Sequence, residues 1–148
     1  WDGWTEEKGF QDPGMNSFNH YSLGSVSEWL YRFVAGIDLD SGVPGYKKIV
    51  IHPYPGGGLA FAGAEYESIH GRIASGWELN GDSLSLDIEI PANTSAKVYL
   101  PCAEKAPVTE SGRIPDKAEG VTVLGREEGC AVFLVESGKY RFRSVFSD

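Results

Sequence analysis

The chain has little cysteine and few histidines, and both absences limit the chemistry it can carry. Cys102 and Cys130 are its only two cysteines in 148 residues. One disulfide at most could form, and we predict two free, half-buried thiols on β-strands. No Cys-x-x-Cys pair occurs, and the three histidines are far apart in sequence, so neither a metal site nor a cofactor is indicated. His52 and His70 are assigned structural or solvent roles.

Basic residues and long apolar runs are also scarce. Lys and Arg number 13 against 21 Asp and Glu, which gives a net charge of −8. Without a basic stripe, nucleic acid is excluded as a partner and an anionic membrane surface is disfavoured. No apolar run approaches the about 20 residues that span a bilayer. Neither a phosphate-binding loop nor a Gly-x-Ser-x-Gly elbow is present.

The one strong helical pattern covers residues 22–36. Apolar residues recur there at steps of three and four: Leu23, Val26, Leu30, Phe33 and Ile37. Ser22 is the predicted N-cap, with Ser17 and Asn16 as alternatives, and Gly36 is the predicted end. A helix with so little polar surface must be covered on more than one side.

After the helix the pattern changes to β. Residues 38–45 resemble a linker, so we predict two parts: residues 1–40 and a β domain at 41–148. Apolar and polar residues then alternate with period two, and Asn80-Gly81 predicts a hairpin turn. Residues 103–120 are predicted to be irregular. Seven or eight short strands indicate a mainly β fold, an antiparallel β-sandwich or a jelly-roll-like fold.

Three residues near the start are candidate substrate-binding residues. His20 lies in a polar and aromatic tract directly before the helix, where it either contacts a ligand or hydrogen-bonds the helix backbone. Trp1 and Trp4 could stack on a sugar or belong to a core. The nearby carboxylates, including Glu6 and Glu7, lie in a polar stretch typical of a solvated loop, so no catalytic residue is assigned.

Several tracts resemble the bacterial α-L-rhamnosidases of glycoside hydrolase family 78. They are residues 1–4, 14–21, 24–31, 44–53, 64–66, 71–72, 90–94 and 136–140. The resemblance implies that the helix is the end of an (α/α)₆ barrel and that the β domain is the C-terminal sandwich. It also implies an inverting mechanism with two carboxylic acids.

The resemblance also implies what the chain lacks and which partners it has. The family's general base would lie two residues before Trp1, so both catalytic carboxylates are expected upstream, and His20 matches a histidine that contacts the sugar. Expected partners are a rhamnose-containing glycoside and an upstream α-barrel domain in cis. The compartment cannot be predicted from the start of the chain, although an extracellular substrate would favour export over a cytoplasmic location.

Two further alternatives are a stand-alone carbohydrate-binding β-sandwich and a purely structural module. Without a barrel, the apolar side chains of the helix would form an exposed patch. We therefore expect residues 1–37 to dock on the sandwich, to self-associate through the helix at 22–36, or to be poorly ordered.

Overall fold

The computed structural model describes residues 4–11, 14 and 21–146. Trp1 and His20 lie outside the described residues. Helix α1 spans Tyr21–Trp29 and continues as a π-helix over Leu30–Val34, and a 3₁₀ turn covers Pro115–Lys117. The strands of the described residues are, in chain order, β1 (Trp4–Thr5), β2 (Gly9–Phe10), β3 (Ile37–Leu39), β4 (Lys48–Ile51), β5 (Phe61–Ser68), β6 (Gly71–Asn80), β7 (Ser83–Ile90), β8 (Ser95–Pro101), β9 (Thr109–Glu110), β10 (Val121–Glu127), β11 (Cys130–Val135) and β12 (Gly138–Val145).

Two five-stranded sheets form the predicted β-sandwich. The first has the order β10-β11-β8-β4-β3, the second has the order β5-β6-β7-β12-β9, and β1 and β2 form a separate two-stranded hairpin. The core lies between the two larger sheets, where Phe133 of β11 and Phe142 of β12 stack with their ring centroids 4.9 Å apart. Both rings are almost fully buried, so the two sheets meet through an apolar core.

Strict alternation in the sequence predicts the faces of β7 correctly. Its apolar residues are all buried: Leu84, Leu86, Ile88 and Ile90. The polar residues between them are half-buried or exposed, on the opposite face of the strand. The predicted hairpin is also confirmed, because Asn80 pairs with Ser83 across a two-residue turn. Gly81 has φ +59° there, a conformation that glycine adopts without steric cost.

Several local predictions need correction. Ser22 is not the N-cap, because it lies inside α1. The sandwich is not wholly antiparallel, because β4 pairs in parallel with β8 after the chain has built β5, β6 and β7 in the other sheet. The predicted linker is wrong at its first two residues, since β3 pairs with β4 in the first sheet. The predicted irregular segment at 103–120 contains β9 and the 3₁₀ turn.

The helix ends at Gly36, as the sequence predicts. Gly36 has φ +78°, and a Cβ atom there would lie 2.2 Å from the backbone nitrogen of Pro53. Only glycine fits such a close approach of two backbone segments. The chain therefore turns sharply, and Ile37, which the helical pattern included, is a buried residue of β3 instead.

No side chain of α1 is buried by the described part of the chain. Exposure ranges from 86% at Tyr21 to 53% at Trp29, although apolar helix faces in folded proteins are normally covered. Within the part of the chain that the structure describes, the π-helical end is the segment of the helix that packs on the sandwich. None of the helices among the described residues has the length and apolarity to cross a membrane.

Replacing Gly36 by alanine should destabilise the fold. The variant Gly36→Ala must relieve a backbone clash and a left-handed φ, so we expect the free energy of unfolding to fall by about 2 kcal/mol or more. Urea denaturation followed by circular dichroism measures this change.

The matched control is Gly24→Ala within α1, where a Cβ would meet no atom of the described residues within 4 Å. It should be neutral or stabilising by up to about 1 kcal/mol. Equal urea midpoints for Gly36→Ala and the unmodified chain would contradict the proposed constraint.

Candidate functional site

The helix joins the sandwich through four consecutive backbone carbonyl groups, which we call the joint. The carbonyl of Phe33 accepts a hydrogen bond from the Tyr54 amide at 3.0 Å, and that of Gly36 accepts one from the His52 amide at 2.8 Å. The two carbonyls between them accept side-chain hydrogen bonds from the Trp77 indole at 2.7 Å and the Ser75 hydroxyl at 2.6 Å. The end of the helix is thus held by donors from β6 and from the segment after β4.

The π-helix and Gly36 present these carbonyl groups to the sandwich. The Ala35 amide bonds the Leu30 carbonyl at 2.9 Å, a five-residue step that widens the last turn. The last carbonyls of a helix lack partners inside it, and here the sandwich supplies them. Because Ser75 and Trp77 are buried, they hold the helix in one direction relative to the sheets.

A cleft of about 550 Å³ lies beside the joint, and we call it the tyrosine cleft. Tyr31 and Arg32 line it from the helix, while Asp38, Tyr46 and Tyr66 line it from the sandwich side. The rings of Tyr46 and Tyr66 are in contact, with centroids 4.7 Å apart. The Tyr31 hydroxyl donates to the Glu65 carbonyl at 3.2 Å, which fixes the position of the third ring.

An acid–arginine–acid group forms the polar part of the cleft. Arg32 bonds Glu28 at 3.1 Å and Asp38 at 3.0 Å, and these hydrogen bonds raise the pKa of the guanidinium. Burial, together with the neighbouring Tyr66, raises the pKa of Tyr46. Its hydroxyl therefore keeps its proton at neutral pH and can donate a hydrogen bond.

A second cluster surrounds His52 on the other side of the joint. The imidazole lies between the rings of Tyr54 and Tyr99, at centroid distances of 4.4 Å and 4.5 Å. Its Nε2 is 3.8 Å from the Cys130 sulfur, and its Nδ1 is 3.3 Å from the Tyr54 hydroxyl. Burial lowers the pKa of His52, against an opposing effect of the Glu128 carboxylate.

The two cysteines are free, as predicted. Both are buried rather than half-buried, and Cys102 follows β8 instead of lying on a strand. Burial raises the pKa of Cys130 to about 11, so its sulfur is a protonated thiol at neutral pH and a poor nucleophile. The Cys102 sulfur accepts a hydrogen bond from Arg126 at 3.0 Å. Among the described residues, no group of three or more His, Cys, Asp or Glu is arranged to hold a metal ion.

Of the three predicted substrate-binding residues, the described part of the chain includes only Trp4. It pairs with Phe10 in the β1–β2 hairpin and is 50% exposed, so part of its ring surface is accessible. The contacts of His20 and Trp1 stay untested. Sequence reasoning missed the tyrosine cleft, because Tyr31, Tyr46 and Tyr66 are separated by 15 and 20 positions and share no motif.

Comparison with known proteins identifies relatives of both the helix and the sandwich. Residues 36–115, more than half of the chain, match the family described as the bacterial alpha-L-rhamnosidase C-terminal domain. The alpha-L-rhamnosidase of Streptomyces avermitilis is 40% identical over 144 residues, which are 96% of this chain and 13% of that protein. The chain thus spans about one-eighth of that relative's length.

Solved structures are similar over the same range. The crystal structure of Streptomyces avermitilis alpha-L-rhamnosidase complexed with L-rhamnose matches with a TM-score of 0.77 and 41% identity, over 97% of this chain and 13% of that one. The alpha-L-rhamnosidase structure from Dictyoglumus thermophilum matches with a TM-score of 0.76 and 34% identity. This match covers 89% of this chain and 15% of that one. The likeness therefore includes the helix, the joint and the sandwich.

Removing the indole donor should weaken the joint. Trp77→Phe keeps a ring in the core but leaves the Val34 carbonyl without its partner, so we expect a loss of about 1–3 kcal/mol in unfolding free energy. Amide hydrogen exchange at Ala35 should become faster. Trp4→Phe in the half-exposed hairpin is the control, with an expected change within about 0.5 kcal/mol. Unchanged Ala35 exchange in Trp77→Phe would count against this role.

His52 should make stability fall in mild acid. Its pKa is lowered in the folded state, so the unfolded chain binds the proton more readily. The contribution of neutral, half-buried His52 to the free energy of unfolding is therefore fully present well above the unfolded pKa of about 6.5. It is lost as the pH falls below that value. His52→Gln keeps a polar side chain but cannot titrate. Between pH 7.5 and 5, unfolding free energy should fall more steeply in the unmodified chain than in His52→Gln. Parallel curves would contradict the expectation.

Proposed function

Because the chain belongs to the family of bacterial α-L-rhamnosidase C-terminal domains, we propose that it is the C-terminal part of a larger inverting glycoside hydrolase. That enzyme releases terminal α-L-rhamnose from glycosides or polysaccharides. The single observation behind this proposal is the likeness to solved α-L-rhamnosidases over 97% of the chain at 41% identity.

In this proposal the chain supplies the last barrel helix and the sandwich that orients it. The upstream barrel domain packs in cis on α1 and covers its apolar side chains. Support comes from the apolar side chains of α1, each of which is more than half exposed in the described chain, because an apolar helix of nine residues is not stable by itself in water. The joint then fixes the direction in which the barrel domain sits on the sandwich.

The sequence predicts that the two parts of the chain meet at residue 40, and we propose instead a boundary a few residues earlier, near Gly36. Two observations support it. The family match begins at residue 36, and β3 already pairs with β4 of the sandwich. The helix would then belong to the barrel domain and everything after Gly36 to the sandwich.

The chemistry is proposed to reside mostly outside this chain. An inverting glycosidase needs one carboxylic acid to protonate the leaving oxygen and one carboxylate to activate water, about 6.5–9.5 Å apart. We assign neither role to a residue of this chain. Glu28 of α1 and Asp38 of β3 are both paired with Arg32, so they are not assigned as the acid and the base. His20, Trp1 and Trp4 are proposed as contacts to the bound sugar.

The purified 148-residue chain should therefore not hydrolyse rhamnosides. We expect the release of nitrophenol from 4-nitrophenyl α-L-rhamnopyranoside to equal the buffer blank, because the chain supplies neither member of the carboxylate pair. A full-length α-L-rhamnosidase serves as the positive control. Turnover above the blank that co-purifies with the chain and scales with its concentration would refute the proposal.

A further inference from the structure

The tyrosine cleft is partly open and has the size of a small-ligand site. Its volume of about 550 Å³ lies within the range of about 300–1,000 Å³ that is typical of such sites. Its two sides come from different elements, the helix and the sandwich, and the joint fixes them relative to each other. The cleft therefore keeps its shape without a ligand, which lowers the entropic cost of binding.

Three phenol rings offer both apolar faces and hydroxyl groups. Tyr31 and Tyr66 are each 39% exposed, so parts of their rings are accessible to a ligand. Tyrosine combines a flat apolar surface with a hydrogen-bonding hydroxyl. A ligand that suits these rings has C–H groups on one face and hydroxyl groups at its edge, as a pyranose ring does.

The backbone holds Tyr46 against Tyr66 in an unusual conformation. Tyr46 has φ +62° and follows Gly45 with φ +83°, so two successive residues adopt left-handed conformations. A bulky residue rarely does so, and such outliers concentrate at binding and catalytic sites. The turn thus directs the Tyr46 ring into contact with Tyr66 at the cleft.

The charges of the cleft favour a neutral ligand with several hydroxyl groups. Glu28, Arg32 and Asp38 together carry a net charge of −1, and their side chains are 67%, 44% and 31% exposed. Carboxylate oxygens accept hydrogen bonds from hydroxyl groups, and the guanidinium donates them. An anionic ligand would be repelled by this group and by the −8 charge of the chain.

We propose that the tyrosine cleft is a binding site for neutral pyranosides, formed by Tyr31, Tyr46 and Tyr66 around the Glu28–Arg32–Asp38 group. This proposal names other residues than the sugar contacts proposed above. It uses residues on both sides of the joint. Isolated strands of the sandwich would therefore not form it.

The test is a titration of the purified chain with methyl α-L-rhamnopyranoside, followed by NMR. We expect saturable shifts of the ring signals of Tyr31, Tyr46 and Tyr66 at millimolar sugar, and intermolecular NOEs from these rings to the sugar protons. Methyl β-D-glucopyranosiduronate, which is anionic, should bind more weakly. Absence of NOEs to the three rings, or equal binding of the anionic sugar, would overturn the proposal.

Variants locate the site. Tyr31→Ala removes one ring and should weaken binding about tenfold, a factor that corresponds to the loss of one good aromatic contact. Phe61→Ala is the control, because this ring is 73% exposed on β5, the strand that carries Tyr66, and does not line the cleft. Circular dichroism checks that both variants are folded. Equal affinity for Tyr31→Ala and the unmodified chain would overturn the assignment.

The result is independent of the hydrolase test. A chain that is inactive but binds sugar in the cleft supports both proposals. An inactive chain without ring NOEs overturns only the present one. Hydrolysis together with binding in the cleft refutes only the activity proposal.

Discussion

Four carbonyl groups at the end of one helix have their hydrogen bonds supplied by another structural element. The carbonyls of residues 33 to 36 accept from two backbone amides and two buried side chains of the sandwich. Each bond contributes only about 0.5–1.5 kcal/mol net, whereas a buried carbonyl without a partner costs about 1–3 kcal/mol. The helix and the sandwich consequently act as one unit at this point.

The surroundings of the joint depend on these hydrogen bonds. Tyr31 and Arg32 face Tyr46 and Tyr66 across the cleft only while the helix keeps its direction. Away from the cleft, the ring centroids of Phe33 and Tyr54 lie 6.0 Å apart. The Tyr54 ring stacks in turn on the His52 imidazole. Aromatic rings therefore continue from the helix onto the outer face of the first sheet. The joint organises polar and aromatic clusters on both of its sides.

The sequence predicts those features that depend on near neighbours. Alternation identifies the buried face of β7, and the Asn-Gly pair identifies the hairpin between β6 and β7, because both signals lie within a few residues. Gly36 marks the helix end for the same reason. The comparisons confirm the family resemblance carried by the short motifs.

Features built from distant residues could not be predicted in this way. Trp77 reaches the Val34 carbonyl over 43 positions, and nothing near Trp77 in the sequence indicates that partner. The parallel pairing of β4 with β8 depends on where three intervening strands lie. The π-helix offers no sequence pattern distinct from an α-helix, since its register is set by the donors that meet its last carbonyls. The tyrosine cleft could not be predicted either, because its residues are distant in sequence and its shape depends on how the helix is held on the sandwich.

The span between the partners of the joint also determines the order of events during synthesis. A ribosome adds about 5–20 residues per second, so Trp77 follows Val34 by about 2–9 s, given their separation of 43 positions. During this interval the backbone donors of His52 and Tyr54 are made, but the Val34 and Ala35 carbonyls still lack their side-chain donors from β6. The final geometry of the earlier-made helix is thus decided by a strand made later. A nascent chain that stalls before β6 would have only two of the four hydrogen bonds that hold the end of the helix.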